Sequence, residues 1–124
     1  MDYYRNKSSA YYHSLITDKS WQILQNLKNR FDFLLIGGWA VYLYTQNLKS
    51  KDIDIVIDYE NLGKIKNELP VTKTPHLLKY EAREGEIQID IYIPYYSNPG
   101  LPAEDLFFYS TTVADFKTIQ KETL

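Results

Sequence analysis

The sequence predicts an α/β chain of the α+β kind, with a mixed β-sheet flanked by helices. Three observations carry that expectation. A short apolar run, FDFLLI (31–36), stops at Gly37-Gly38 and gives way to a helix-length segment. Two runs, DIDIVID (52–58) and EIQIDIYI (86–93), place isoleucine at every second position, the period of a strand with one buried face. Apolar residues at helical spacing precede the first strand. A chain of 124 residues is long enough to bury a core as one domain spanning 1–124 without disulfides.

The elements follow in order. Residues 7–16 are a weak helix candidate. Thr17-Asp18 offers an N-cap for a second helix, 19–30, in which Trp21, Leu24 and Leu27 define a buried face that Ile23 widens. The run 31–36 is a buried strand. Gly37-Gly38 is a sharp break, and 39–46 (WAVYLYTQ) is a helix, because a strand running on from the break leaves no room for a turn. Residues 47–51 are a polar connection. In the strand 52–58, Ile53, Ile55 and Ile57 face one way and Asp52, Asp54, Val56 and Asp58 the other. Residues 61–69 form a short helix ended by Pro70. Strands 77–82 and 86–93 flank a turn at 83–85. On the second of them Ile87, Ile89, Ile91 and Ile93 oppose Gln88, Asp90 and Tyr92. A loop, 94–102, leads to a short helix, 103–109, with Glu104 and Asp105 in its first turn. The tail 111–124 fits neither period and ends without a helix cap, so a C-terminal helical region is expected to be missing. Helix, strand and hairpin in this order argue for a mixed sheet with antiparallel edges.

Composition removes several function classes. Fourteen basic and 16 acidic residues give a net charge of −2, too little positive charge for nucleic-acid binding by bulk charge. Cysteine is absent, so thiolate metal sites and cysteine nucleophiles are excluded, and a reducing, cytoplasmic setting fits. No run approaches the length of a membrane span, and no membrane partner is expected. The 12 tyrosines, with doublets at Tyr3-Tyr4, Tyr11-Tyr12 and Tyr95-Tyr96, read first as amphipathic packing and only second as base-stacking platforms. His13 and His76 have no ligand spacing to one another and read as surface residues.

The chemistry lies in the carboxylates. Asp52 and Asp54 are two apart on a strand, with Cα atoms about 6.6 Å apart on one face. Asp90 sits on the polar face of a later strand. If the two strands are neighbours, three hard oxygen ligands converge, a set suited to Mg²⁺. Nucleotidyl transfer needs such a set, because two ions roughly 3.5–4 Å apart neutralise the entering and leaving oxygens. The plainer reading is the solvated side of a half-exposed sheet, and Asp58 fits it. Aspartate inside IQIDIYI disagrees with strand propensity, which favours the functional reading for Asp90. Gly37 and Gly38 before a helix add a place where backbone N–H groups meet phosphate oxygens.

Gly37-Gly38-Trp39-Ala40, a helix, and then Ser50-Lys51-Asp52-Ile53-Asp54 resemble the active-site signature of the polymerase-β-like nucleotidyltransferase superfamily. The GGWA variant is similar to that of small antibiotic nucleotidyltransferases and of those in toxin–antitoxin and abortive-infection systems. The resemblance spans roughly 33–93. It implies a nucleotidyltransferase fold and a Mg²⁺-dependent transfer of a nucleoside monophosphate from an NTP to a hydroxyl, with release of pyrophosphate. It implies that Gly37, Gly38, Ser50 and Lys51 meet the NTP phosphates. By the same likeness Asp52, Asp54 and Asp90 hold two Mg²⁺ ions and carry the catalysis, with Asp90 as general base. The acceptor would be a small molecule, a protein side chain or an RNA end. Many relatives carry arginine, one residue, then threonine before the acid pair; here those positions are Leu48 and Ser50, with Lys49 and Lys51 as nearby charges. Two other readings stand beside this one. One is a degenerate domain that binds a partner protein, as in a toxin–antitoxin pair. The other is a metal-dependent nuclease, which leaves the glycine turn without a role.

Overall fold

The computed structural model describes residues 2–124, with side chains from residue 10 onward, so the Tyr3-Tyr4 side chains lie outside the described residues. The chain opens with α1 (Asp2–Arg30), one continuous helix where two were expected. Thr17 is buried, and its hydroxyl donates back to the carbonyl oxygens of His13 (2.9 Å) and Ser14 (3.2 Å). A threonine bonded to the preceding turn continues a helix instead of capping a new one. The buried stripe is Ile16, Ser20, Leu24 and Leu27, with Trp21 and Ile23 packed at its margin.

β1 (Leu34–Ile36) is buried along its whole length. It runs directly into α2 (Gly37–Thr45), which starts two residues earlier than expected and ends at Gln46 in a left-handed conformation. β2 (Ile53–Val56) follows. α3 (Tyr59–Lys66) begins early because the Asp58 side chain caps it, accepting from the Asn61 N–H. β3 (Val71–Thr74) was not anticipated. A 3₁₀ turn at Pro75–Leu77 delays the next strand, so β4 is Lys79–Glu84, paired with β5 (Ile87–Tyr92). The turn between them is Gly85-Glu86, shorter than the expected 83–85, with Gly85 at φ +60°. α4 (Ala103–Leu106) passes into a 3₁₀ turn, Phe107–Tyr109. The tail then forms a hairpin, β6 (Ser110–Val113) and β7 (Phe116–Ile119), turned by Ala114 and Asp115 at positive φ.

The architecture is mixed α/β with a seven-stranded sheet in the order β3-β4-β5-β2-β1-β7-β6. β2–β5 and β1–β7 are parallel, and the remaining pairs are antiparallel, so both edges are antiparallel hairpins. Isoleucines 53, 55, 57, 87, 89, 91 and 93 cover one face, packed on residues of α1, α2 and α3. Leu34, Ile36, Val56 and Ile119 form a smaller cluster on the other face under Ala103 and Leu106 of α4. Val56 is therefore buried too, and only the upper part of that second face, around Asp54, is left to polar side chains. Among the described residues, no helix is long and apolar enough to cross a membrane.

Candidate active site

The register of the sheet decides which aspartates meet. Antiparallel pairing sets Asp54 opposite Ile36, the last residue before the glycine turn. Parallel pairing sets Asp54 beside Asp90. The alternation of isoleucines on both strands sends the two carboxyls to the same face. Burial, followed by the charges of Asp90 and Asp52, pushes the Asp54 carboxyl from its ordinary 3.8 up to about 6; the Lys79 charge pulls the other way.

Asp52 behaves differently. It precedes β2, is exposed, and reaches Asp54 through charge alone. Among the described residues, no group of three or more His, Cys, Asp or Glu side chains is arranged as a metal cage. The three aspartates are thus a pair, Asp90 buried and Asp54 half-buried, with an exposed third acid nearby. That set suits a cation all the same. Two adjacent carboxyls, one carrying a raised pKa from burial and repulsion, are stabilised by any positive charge brought between them.

Gly37 lies against the pair. Its φ is +71°, and a β-carbon there would come within 2.4 Å of Asp54 Oδ2. The first residue of α2 must therefore be small and left-handed for the Asp54 carboxyl to occupy its place. No side chain caps α2, so its first N–H groups remain open to a ligand beside the carboxyls. Gly38 packs on Ser50, whose Oγ would stand 2.8 Å from a β-carbon. The Ser50 hydroxyl donates to the Asp52 carbonyl oxygen at 2.9 Å, so it braces the loop before β2. Lys51 is exposed. Lys49 is held by Asp18 of α1 at 2.9 Å, which ties up the charge expected to compensate for Leu48. Leu48 itself is exposed.

Four residues around the pair were not singled out as site residues from the sequence. Lys79 Nζ lies 2.9 Å from Asp90 Oδ1 and 3.5 Å from Glu81. Gln88 Nε2 donates to the same Asp90 oxygen at 2.8 Å. Burial works against the Lys79 ammonium, but the hydrogen bond and charge of Asp90 prevail and its pKa is raised. Tyr92 lies one period beyond Asp90, and burial plus the charges of Asp54 and Asp90 raise its hydroxyl pKa. Gln88 and Tyr92 share the Asp90 face by simple alternation, which was legible. Lys79 and Glu81 depend on the register of a hairpin. Asp54, Gly37 and Tyr92 line a cleft of about 510 Å³ whose apolar wall includes Ile36, Leu106 and Ile119.

The site is thus a carboxyl pair under a glycine turn, with a lysine bound to Asp90 and a largely apolar cleft opening at Asp54. Compared with protein-family models, curated proteins and solved structures, the chain matches none.

Proposed function

We propose that this chain is a nucleotidyltransferase-fold enzyme that moves a nucleoside monophosphate from an NTP to a hydroxyl acceptor, with Mg²⁺, releasing pyrophosphate. The observation that supports this most is the pairing of Asp54 with Asp90 across β2 and β5, directly against the Gly37 turn. Asp54 and Asp90, with Asp52 beside them, would hold Mg²⁺, which when bound supplies neutralising charge to the phosphate oxygens. The open N–H groups at the start of α2 receive phosphate oxygens, and Gly37 and Gly38 let the ligand come close to the backbone. Lys51, exposed just before β2, would meet the outer phosphates. The acceptor hydroxyl gives its proton to a carboxylate of the pair as its oxygen bonds to the α-phosphorus. The bond from that phosphorus to the pyrophosphate oxygen breaks in the same displacement. Catalysis in this scheme comes from position and charge. A small molecule, a protein side chain or an RNA end serves as acceptor, and a cytoplasmic setting supplies both NTP and Mg²⁺.

The test is incubation of the protein with Mg²⁺, each of the four NTPs labelled at the α-phosphate, and cell extract. Label should move to an acceptor with the wild type and not with Asp54→Asn. Absence of transfer with every nucleotide would sink the enzymatic reading.

A second reading has one observation in its favour. Leu48, where relatives of the resembled type carry arginine, is 80% exposed, and an exposed leucine at a phosphate position suits a non-catalytic domain that binds a partner protein. Calorimetric titration separates the two: absence of Mg²⁺ and ATP binding favours the second. Cleavage of nucleic acid without NTP would instead support a nuclease.

A further inference from the structure

Lys79 occupies an unusual place for a lysine. Its side chain is 12% exposed, and that of its partner Asp90 is 11% exposed. Lysine is seldom buried unless paired, because removing an ammonium from water is costly. Here the pairing is with the acid that the proposed reaction needs most. Asp90 Oδ1 accepts from Lys79 Nζ at 2.9 Å and from Gln88 Nε2 at 2.8 Å. Both bonds fall on Oδ1, so Asp90 offers a metal ion Oδ2 alone.

We propose that Lys79 stands in for one of two metal ions, so that the site takes a single divalent cation. This rests on the metal-dependent reading above and narrows it. Lys79 brings a fixed positive charge to Asp90 Oδ1, where a second ion would otherwise sit, and shares it with Glu81 at 3.5 Å. With Oδ1 taken, Asp90 has one oxygen left for one ion; a second ion on Oδ1 would have to displace the ammonium, leaving a largely buried lysine next to a divalent cation with only Glu81, at 3.5 Å, to answer it. Lys79 is in these terms a positioning residue: it acts through Asp90, holding the carboxylate in place beside Asp54. Gln88 fixes the same oxygen from its own strand. A monovalent charge fixed in the sheet neutralises Asp90 at any metal concentration, whereas an ion must be bound first.

The experiment counts ions. The full chain is titrated with Mn²⁺, and free ion is followed by electron paramagnetic resonance. Wild type and Lys79→Arg should each bind one Mn²⁺ per chain. Lys79→Met, which frees Asp90 and removes the positive charge, should bind two. Lys79→Gln serves as a second neutral variant if the methionine chain melts at assay temperature. Two ions in the wild type, or one in both wild type and Lys79→Met with unchanged affinity, would overturn the inference and leave the metal-dependent reading intact. No binding by any of these chains would overturn the metal-dependent reading itself. A purely structural ion pair alters stability on substitution but not the number of ions held.

Discussion

The Asp54 carboxyl lies so close to Gly37 that a β-carbon on the glycine would stand 2.4 Å from Oδ2 and 2.9 Å from the carboxyl carbon. The contact joins the end of β1 to the middle of the candidate site. It also makes Gly37 the least replaceable residue of the turn, because its φ of +71° is costly for any L side chain. Gly37→Ala should lose about 2 kcal/mol or more of stability, from left-handed strain and the displaced carboxyl together. Gly38→Ala should lose less, since its φ is ordinary and the nearest atom is a serine hydroxyl able to rotate. Urea denaturation of both variants checks the order; equal losses would mean that the approach of Gly37 to Asp54 is not what constrains the turn.

Asp54 should make the protein less stable as pH rises. Its pKa is raised from 3.8 to about 6 by burial and by Asp90 and Asp52. The folded state therefore holds a proton that the unfolded state releases between those values. The stabilising contribution is complete below pH 3.8 and is lost as pH climbs through about 6. The full shift corresponds to about 3 kcal/mol, and partial exposure of the side chain reduces the expectation to about 2 kcal/mol. Asp54→Asn should gain on the wild type by that amount between pH 4 and pH 7, as measured by denaturation at several pH values. The slope of the difference is the test, since the baseline also includes the loss of repulsion from Asp90. Saturating Mg²⁺ should raise the melting temperature of the wild type at pH 7 and leave that of Asp54→Asn nearly unchanged.

Much of this site was legible because two periods were unambiguous. Isoleucine at alternate positions placed Asp54 and Asp90 on polar faces, and their pairing followed once β2 and β5 proved to be neighbours. The Gly37-Gly38 break located the start of α2 to within two residues. Lys79 was hidden by a turn. An expected turn at 83–85, with Ala82 facing Glu86, sets Leu78 opposite Asp90. The actual turn at Gly85-Glu86 sets Glu81 there instead, and this brings the charged side of β4 onto the site face. A change of a few residues in a hairpin moves a whole face of side chains. The hairpin of β6 and β7 was missed for a different reason. Its turn is Ala114-Asp115, both left-handed without a glycine, so the usual punctuation is absent. Thr118, buried on β7, donates to the Leu35 carbonyl oxygen at 2.7 Å, a long-range bond that no local pattern announces. Asp52, counted in the strand by alternation, lies just before it, because Ser50 bonds to its carbonyl and bends the chain there.

The long first helix is locked to α2 by one buried hydrogen bond, from Trp39 Nε1 to Ser20 Oγ at 2.9 Å. Trp39 also packs on Trp21 and Tyr42, with ring centroids 4.9 Å and 5.2 Å away. Ser20→Ala leaves the indole N–H without an acceptor in a dry environment and should cost about 1–3 kcal/mol. Ser20→Ala combined with Trp39→Phe removes both polar partners, so the two losses should be less than additive. Strict additivity in thermal denaturation would show that the bond contributes nothing to holding α1 in place.

Asp58, two residues past the end of the strand that carries Asp54, offers the opposite pH behaviour. It was expected to be a solvated acid on the polar face; it is the N-cap of α3, accepting from the Asn61 N–H at 2.8 Å and from the Asn61 side-chain amide at 3.0 Å. The backbone hydrogen bond from Asn61 is the main cause of a lowered pKa. A carboxylate with a lowered pKa stabilises the fold above its ordinary value of 3.8, and that contribution disappears as pH falls through the lowered value. Asp58→Ala should therefore cost about 1 kcal/mol at pH 7, the usual worth of an aspartate cap. Near pH 3 the loss should shrink, because the protonated wild-type side chain caps less well. Asp54→Asn is stabilising at neutral pH and Asp58→Ala destabilising, although the two acids are four residues apart in sequence. If both substitutions move stability in the same direction at pH 7, the contrast between a desolvated carboxyl and a capping one fails, and with it the reason for assigning Asp54 to a site that attracts cations.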